Sequence, residues 1–138
     1  LNKMDNELTK AMRKLQKAQV SNGGWPWFPG MPESRYITQH IITGMGHLDN
    51  LGVKNVRENA EVWKMVKKGV GYLDARLLED YEWTKKHYLN SMNEQHIGQL
   101  QIQYLYARSY YKDLPMSSKL KEAVAYYQEQ AKKYWMKF

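Results

Sequence analysis

Cysteine is absent from the chain, which excludes disulfides, thiolate metal sites and cysteine nucleophiles within it. No run of about eighteen apolar residues occurs, so no segment reads as a membrane-spanning helix and no direct membrane insertion is expected. The N-terminus shows no signal-peptide pattern. Proline is scarce and uneven: three of the four, Pro26, Pro29 and Pro32, crowd into one short stretch. Apolar alternation is also missing, because wherever it starts a helical period explains it better, and no strand is expected.

Charge is scarce in particular places rather than overall. The net charge of +7 divides as five basic and two acidic residues over 1–18, eleven and ten over 19–116, and five and two over 117–138. A nucleic-acid stripe is usually gathered on one element, so this end-loaded excess reads as a solvated surface, with no nucleic-acid partner expected. At 138 residues the chain fits one domain or part of a larger one. It opens at Leu1 and reaches Phe138 while still reading as helix, so residues 1–138 are expected to be a single helical piece of a longer protein.

What is present is helical periodicity. Residues 4–18 carry Leu8, Ala11, Met12, Leu15 and Ala18 at helical spacing, with Asp5 as a candidate N-cap. Gly23, Gly24 and Pro26 place a loop over 20–33. Ser34 caps the next helix, which runs through Ile37, Ile41, Ile42, Met45 and Leu48 to a stop at Gly52. Residues 56–86 form the longest periodic run, with Val62, Val66, Val70, Leu73 and Leu77 on one face; Gly69 and Gly71 inside it point to a close helix approach or a bend. Asn93 is the expected cap of a helix over 94–111, and Ser117 or Ser118 of a last helix.

Charge density alternates along these helices. There are seven charged residues in 3–17, none in 36–48, thirteen in 57–86, one (Arg108) in 95–111 and seven in 117–137. Uncharged helices need covering by others, whereas amphipathic ones face water on one side. The alternation therefore predicts an all-α fold of stacked αα-hairpins, about five helices alternating between outer and inner layers, as in a solenoid or a partial α/α toroid.

Gln19, Gly23 and Trp25 spell Q-x-x-x-G-x-W, which resembles the QW signature of α/α toroids such as terpene cyclases. The longer strings GGWPWFPG and SRYITQHIITGMGHLDNLG, with YLDARL, IQYLYARSYYKD and YYQEQAKKYW, resemble the thioester-domain region of bacterial alpha-2-macroglobulin-like proteins of the Bacteroidetes type. The resemblance implies a toroid in which the glutamine closes a helix end and the tryptophan covers the connecting loop. It implies a protease inhibitor of the periplasm or cell surface, with other domains of the parent protein as partners and proteases met through the full-length protein. The family's covalent trap uses a C-x-E-Q thioester, and without a cysteine no residue of that motif maps onto this chain. The resemblance thus implies a non-catalytic scaffold and interaction domain, with no cofactor and no chemistry of its own.

Candidate contact residues are weighed against structural roles. Trp25, Trp27 and Phe28 are expected to form an aromatic clasp over the loop; as a stacking platform they would instead suit a carbohydrate-binding or glycan-processing toroid, the alternative function. Arg35, Tyr36, His40 and Tyr104 complete the candidate ligand or interface set. His40 and His47 lie seven residues apart, too far for a single metal, and His40 reads as a hydrogen-bonded inner-layer residue beside Thr38, Gln39 and Thr43. Glu33 and Asp49 flank their helix at opposite ends, so a carboxylate pair for glycoside hydrolysis is not expected. Asp74, Glu79, Asp80 and Glu82 read as a solvated face. Gln99, Gln101, Gln103, Tyr104, Tyr106 and Tyr110 would line a concavity or, as expected more often, satisfy one another between layers.

Overall fold

The computed structural model describes residues 2–137, apart from the side chains of Asn2, Asp5 and Lys137. The fold is all-α. Its five helices are α1 (Asn2–Ala18), α2 (Arg35–Asn50), α3 (Ala60–His87), α4 (Gln99–Arg108) and α5 (Ser118–Tyr134). Short 3-10 turns follow α3, α4 and α5. Packing runs α1–α3–α5 along one layer and α2–α4 along a second, with α2–α3, α3–α4 and α4–α5 contacts joining the two. The charge-rich helices therefore share one layer and the charge-poor helices the other.

Local chemistry sets most boundaries. Ser34 takes an extended backbone and its Oγ accepts from the amide of Ile37 at 3.2 Å, fixing the start of α2. Ser117 does the same for α5 through Leu120. At the end of α2, Gly52 adopts φ +87°, and the amides of Leu51 and Gly52 return to the carbonyls of His47 and Asp49.

Several boundaries differ from expectation. Helix α1 starts at Asn2, ahead of Asp5, whose side chain lies outside the described residues. Helix α3 begins at Ala60, because Asn59 Oδ1 accepts from the amides of Glu61 and Val62. Residues 25–26 and 33–34 make a two-residue antiparallel ladder inside the expected loop, pairing Trp25 with Ser34 and Pro26 with Glu33. Asn93 does not cap α4. Helix α5 holds the preceding segment irregular: Gln130 Oε1 accepts from the His96 amide, its Nε2 donates to Met92 and Glu94 carbonyls, and Tyr134 Oη donates to the Asn93 carbonyl. The helix starts instead where Gln101 Oε1 accepts from the Gly98 amide at 2.8 Å.

The core lies between the layers. Val62, Val66, Val70, Leu73 and Leu77 of α3 are all buried, facing Ile42 and Met45 of α2, Tyr104 and Tyr111 after them, and Leu120, Ala123 and Tyr127 of α5. Gly69 belongs to this seam: a Cβ there would stand 2.4 Å from Ile42 Cδ1 and 3.0 Å from Trp25 Cζ3. Close approach explains Gly69, whereas Gly71 faces open space.

The solvated face expected of Asp74, Glu79, Asp80 and Glu82 is corrected at Asp74, which is largely buried. Asp74 pairs with Arg108, whose side chain is 4% exposed, and accepts from Tyr104 Oη at 2.6 Å. Burial pushes the Asp74 carboxyl up, and the tyrosine and the guanidinium only partly offset it. Arg108 also donates to the carbonyls of Tyr111, Leu114 and Pro115, so the one charge of α4 is enclosed and fully paired.

Candidate functional site

Two regions carry the residues that sequence reasoning singled out. The first is the turn between α1 and α2. Gln19 Nε2 donates to the Gly23 carbonyl at 3.0 Å and to the Met65 carbonyl of α3 at 2.9 Å. Trp25 Nε1 donates to the Leu15 carbonyl at 2.8 Å, the acceptor that also serves the Gln19 amide. The free end of α1 is thus closed by the tryptophan, while the glutamine ties the turn to α3. Trp25 is 1% exposed and its own amide donates to Thr38 Oγ1, which in turn donates to the Ser34 carbonyl. Gly23 adopts φ +97°, and a Cβ on it would sit 2.1 Å from the Lys68 carbonyl oxygen. Only glycine meets both conditions. The clasp expected of three aromatics is built by Trp25 alone, since Trp27 and Phe28 are exposed.

The second region is the outer face of the charge-poor layer. Helix α2 is not covered all round: Tyr36, His40, Gly44 and His47 recur along an exposed face. His40 is exposed there, which corrects its expected place as a hydrogen-bonded inner residue. Between α2 and α4 runs a groove of about 220 Å³ lined by Tyr36, Gln39, His40, Thr43, Gln103 and Tyr106. Trp27 stands at its rim, with its ring 5.9 Å from that of Tyr36 and nearly parallel at 12°. Beyond Tyr106, the Tyr106 and Tyr110 hydroxyls lie 2.8 Å apart and approach the His47 ring at 3.3 and 3.1 Å. That hydroxyl pairing raises the Tyr110 pKa. Gly46 lets the 3-10 turn after α4 come close, because a Cβ would meet Tyr110 Cβ at 2.7 Å.

Of the candidate contact residues, the structure brings Trp27, Tyr36 and His40 together on this surface and separates the others. Arg35 is clamped to Asp80 by two bonds of 3.0 and 2.7 Å, and Asp80 also accepts from Gln101. Tyr104 is buried against Asp74, which holds its hydroxyl far above the usual tyrosine range, with desolvation as the largest cause. Phe28 is exposed and, with Trp27, borders a second hollow beside Lys14 and Lys17; it does not line the α2–α4 groove. Gln103 and Tyr106 were legible as neutral inner-layer residues, but their alignment with α2 depends on the α2–α4 packing.

A larger cleft, of about 1120 Å³, opens between α1 and the end of α2, with Met4, Leu8, Leu48 and Val53 in its walls. It offers an apolar wall rather than converging polar groups. Among the described residues, no group of three or more histidines and carboxylates could hold a metal ion, and no helix is long and apolar enough to cross a membrane. Comparison with models of known protein families, with curated proteins and with solved structures finds no match for this chain.

Proposed function

We propose that this chain is a non-catalytic scaffold and interaction domain, part of an α/α toroid, in a protease inhibitor of the bacterial alpha-2-macroglobulin kind. The observation that supports this reading best is the turn at 19–25. Its glutamine, glycine and tryptophan form one interlocked joint between a charge-rich and a charge-poor helix. A joint of that kind, linking a charge-rich to a charge-poor helix, is what the toroid reading calls for. On this reading the domain works by presenting a rigid surface to the other domains of its parent protein, in the periplasm or at the cell surface, while proteases meet the full-length protein. The paired aspartates support it too: Asp49 and Asp113 hold Arg57, Asp80 holds Arg35 and Asp74 holds Arg108. Each is engaged in structure rather than left facing the groove.

A protease-protection assay on the full-length parent tests the reading. The expected result is that an added protease cleaves the parent and is then retained with it, losing activity toward large substrates while keeping activity toward small peptides. Unchanged protease activity toward large substrates, with no retained enzyme, would overturn it.

A further inference from the structure

In Gln39, burial and hydrogen bonding disagree. The residue is 2% exposed and lines the α2–α4 groove, yet its Oε1 has no hydrogen-bond partner. Its Nε2 reaches Gln103 Oε1 only at 3.5 Å, beyond the usual hydrogen-bond range. Turning the amide over exchanges one orphan for the other, since Gln103 serves a single end. A buried amide without a partner is costly, and Gln130 and Gln19 have their amide nitrogens engaged. The other buried atoms without a partner among the described residues are the Nε of Arg35 and of Arg76, so Gln39 Oε1 is the one orphan acceptor. A hydrogen-bond donor brought to Oε1 would satisfy it.

The groove's composition narrows what that donor belongs to. Its walls are phenol, imidazole, hydroxyl and amide, with no charge. The nearest cations are committed, Arg35 to Asp80 and Arg108 to Asp74. An anionic ligand would find no free partner there, and an ammonium no free carboxylate. At the rim, the near-parallel Trp27 and Tyr36 rings offer flat apolar surface, each being more than half exposed. A volume of about 220 Å³ lies below the roughly 300–1,000 Å³ of drug-sized pockets and suits a single ring. A neutral ring with an apolar CH face and hydroxyls that both donate and accept matches every wall.

We propose that the α2–α4 groove binds a neutral saccharide unit, its CH face against Tyr36, on which Trp27 stacks, and one hydroxyl donating to Gln39 Oε1. Oε1 lies beneath the groove surface, and the exposed Gln103 side chain moves aside to admit the hydroxyl. His40 and Tyr106 meet the remaining hydroxyls. The site differs from a platform on the loop itself: Trp25 is buried, and of the exposed Trp27 and Phe28 it is Trp27 that stacks on a groove residue, Tyr36. This inference rests on the groove alone and stands or falls separately from the inhibitor reading.

The test uses the full chain with maltotriose, mannobiose and N,N′-diacetylchitobiose as probes. Glucuronic acid serves as the anionic control and an uncharged capped tripeptide as a protein mimic. At least one neutral saccharide is expected to bind in the millimolar range, shifting the Gln39 side-chain amide resonances and changing Trp27 fluorescence, while glucuronic acid does neither. Losing one hydrogen bond should weaken binding about tenfold or more in Gln39→Leu and in His40→Ala. His40 is exposed, so its variant folds even if Gln39→Leu does not. The proposal is overturned if no saccharide binds, if binding is unchanged in the variants, or if the tripeptide binds where the saccharides do not. The last result would assign the groove to a protein segment.

Discussion

The turn at 19–25 and the α2–α4 groove are built from the same kinds of residue, neutral amides and large aromatics, yet they are finished differently. In the turn, Gln19 uses its amide on two carbonyls and Trp25 buries its ring while its Nε1 closes a helix end. In the groove, Gln39 keeps an orphan oxygen, and Tyr36 and Trp27 keep their rings in solvent. Composition alone therefore does not separate a joint from a site. The difference lies in whether each polar group finds its partner within the chain, and on it rest the structural role of the first region and the contact role proposed for the second.

The largest expected effect that sharpens this contrast is at Trp25. Trp25→Ala removes a fully buried ring and a helix-closing donor, and should cost about 3–5 kcal/mol in urea unfolding. Gly23→Ala comes next. A side chain at φ +97° facing the Lys68 carbonyl should cost at least about 1–3 kcal/mol, and the loss should appear as a lower midpoint with an unchanged slope.

Alkaline pH probes the core against the groove. Burial pushes the Tyr127 hydroxyl up to about 12 from an ordinary 10, so above pH 10 the unfolded chain gives up a proton that the folded chain keeps. Stability should fall as pH rises from 10 toward 12, with Tyr127→Phe blunting the fall; melting temperature against pH is the measurement. The smallest effect is at the groove rim. Trp27 is exposed, so Trp27→Ala should change stability by no more than about 0.5 kcal/mol. A loss comparable to that of Trp25→Ala would dissolve the distinction between the two regions.

Much of the fold was legible because its determinants are local. Ser34 and Ser117 announce helices α2 and α5, Gly52 ends α2, and the apolar stripe of Val62 to Leu77 marks the buried face of α3. The turn at 19–25 was legible for a related reason: glycine, glutamine and tryptophan at that spacing each answer a need of the same few backbone groups. The start of α4 was not, because Gln130 and Tyr134, more than thirty residues downstream, hold the segment before it. The groove was half legible. Absence of charge predicted that α2 would be covered, whereas the structure leaves Tyr36, His40 and His47 exposed. An uncharged face looks the same in sequence whether another helix covers it or a ligand does. Arg35 and Tyr104 misled as contact candidates because their partners, Asp80 and Asp74, come from α3.

The most direct test compares the urea midpoints of Gln19→Leu and Gln39→Leu. Both remove a side-chain amide and keep its bulk. Gln19→Leu removes the donor that bridges the Gly23 carbonyl and the Met65 carbonyl of α3, and should cost about 1–3 kcal/mol. Gln39→Leu removes an orphan and should leave the midpoint unchanged or raise it. A midpoint that falls in Gln39→Leu as far as it does in Gln19→Leu would contradict the account, because it would make the groove's amide as much a part of the scaffold as the joint's.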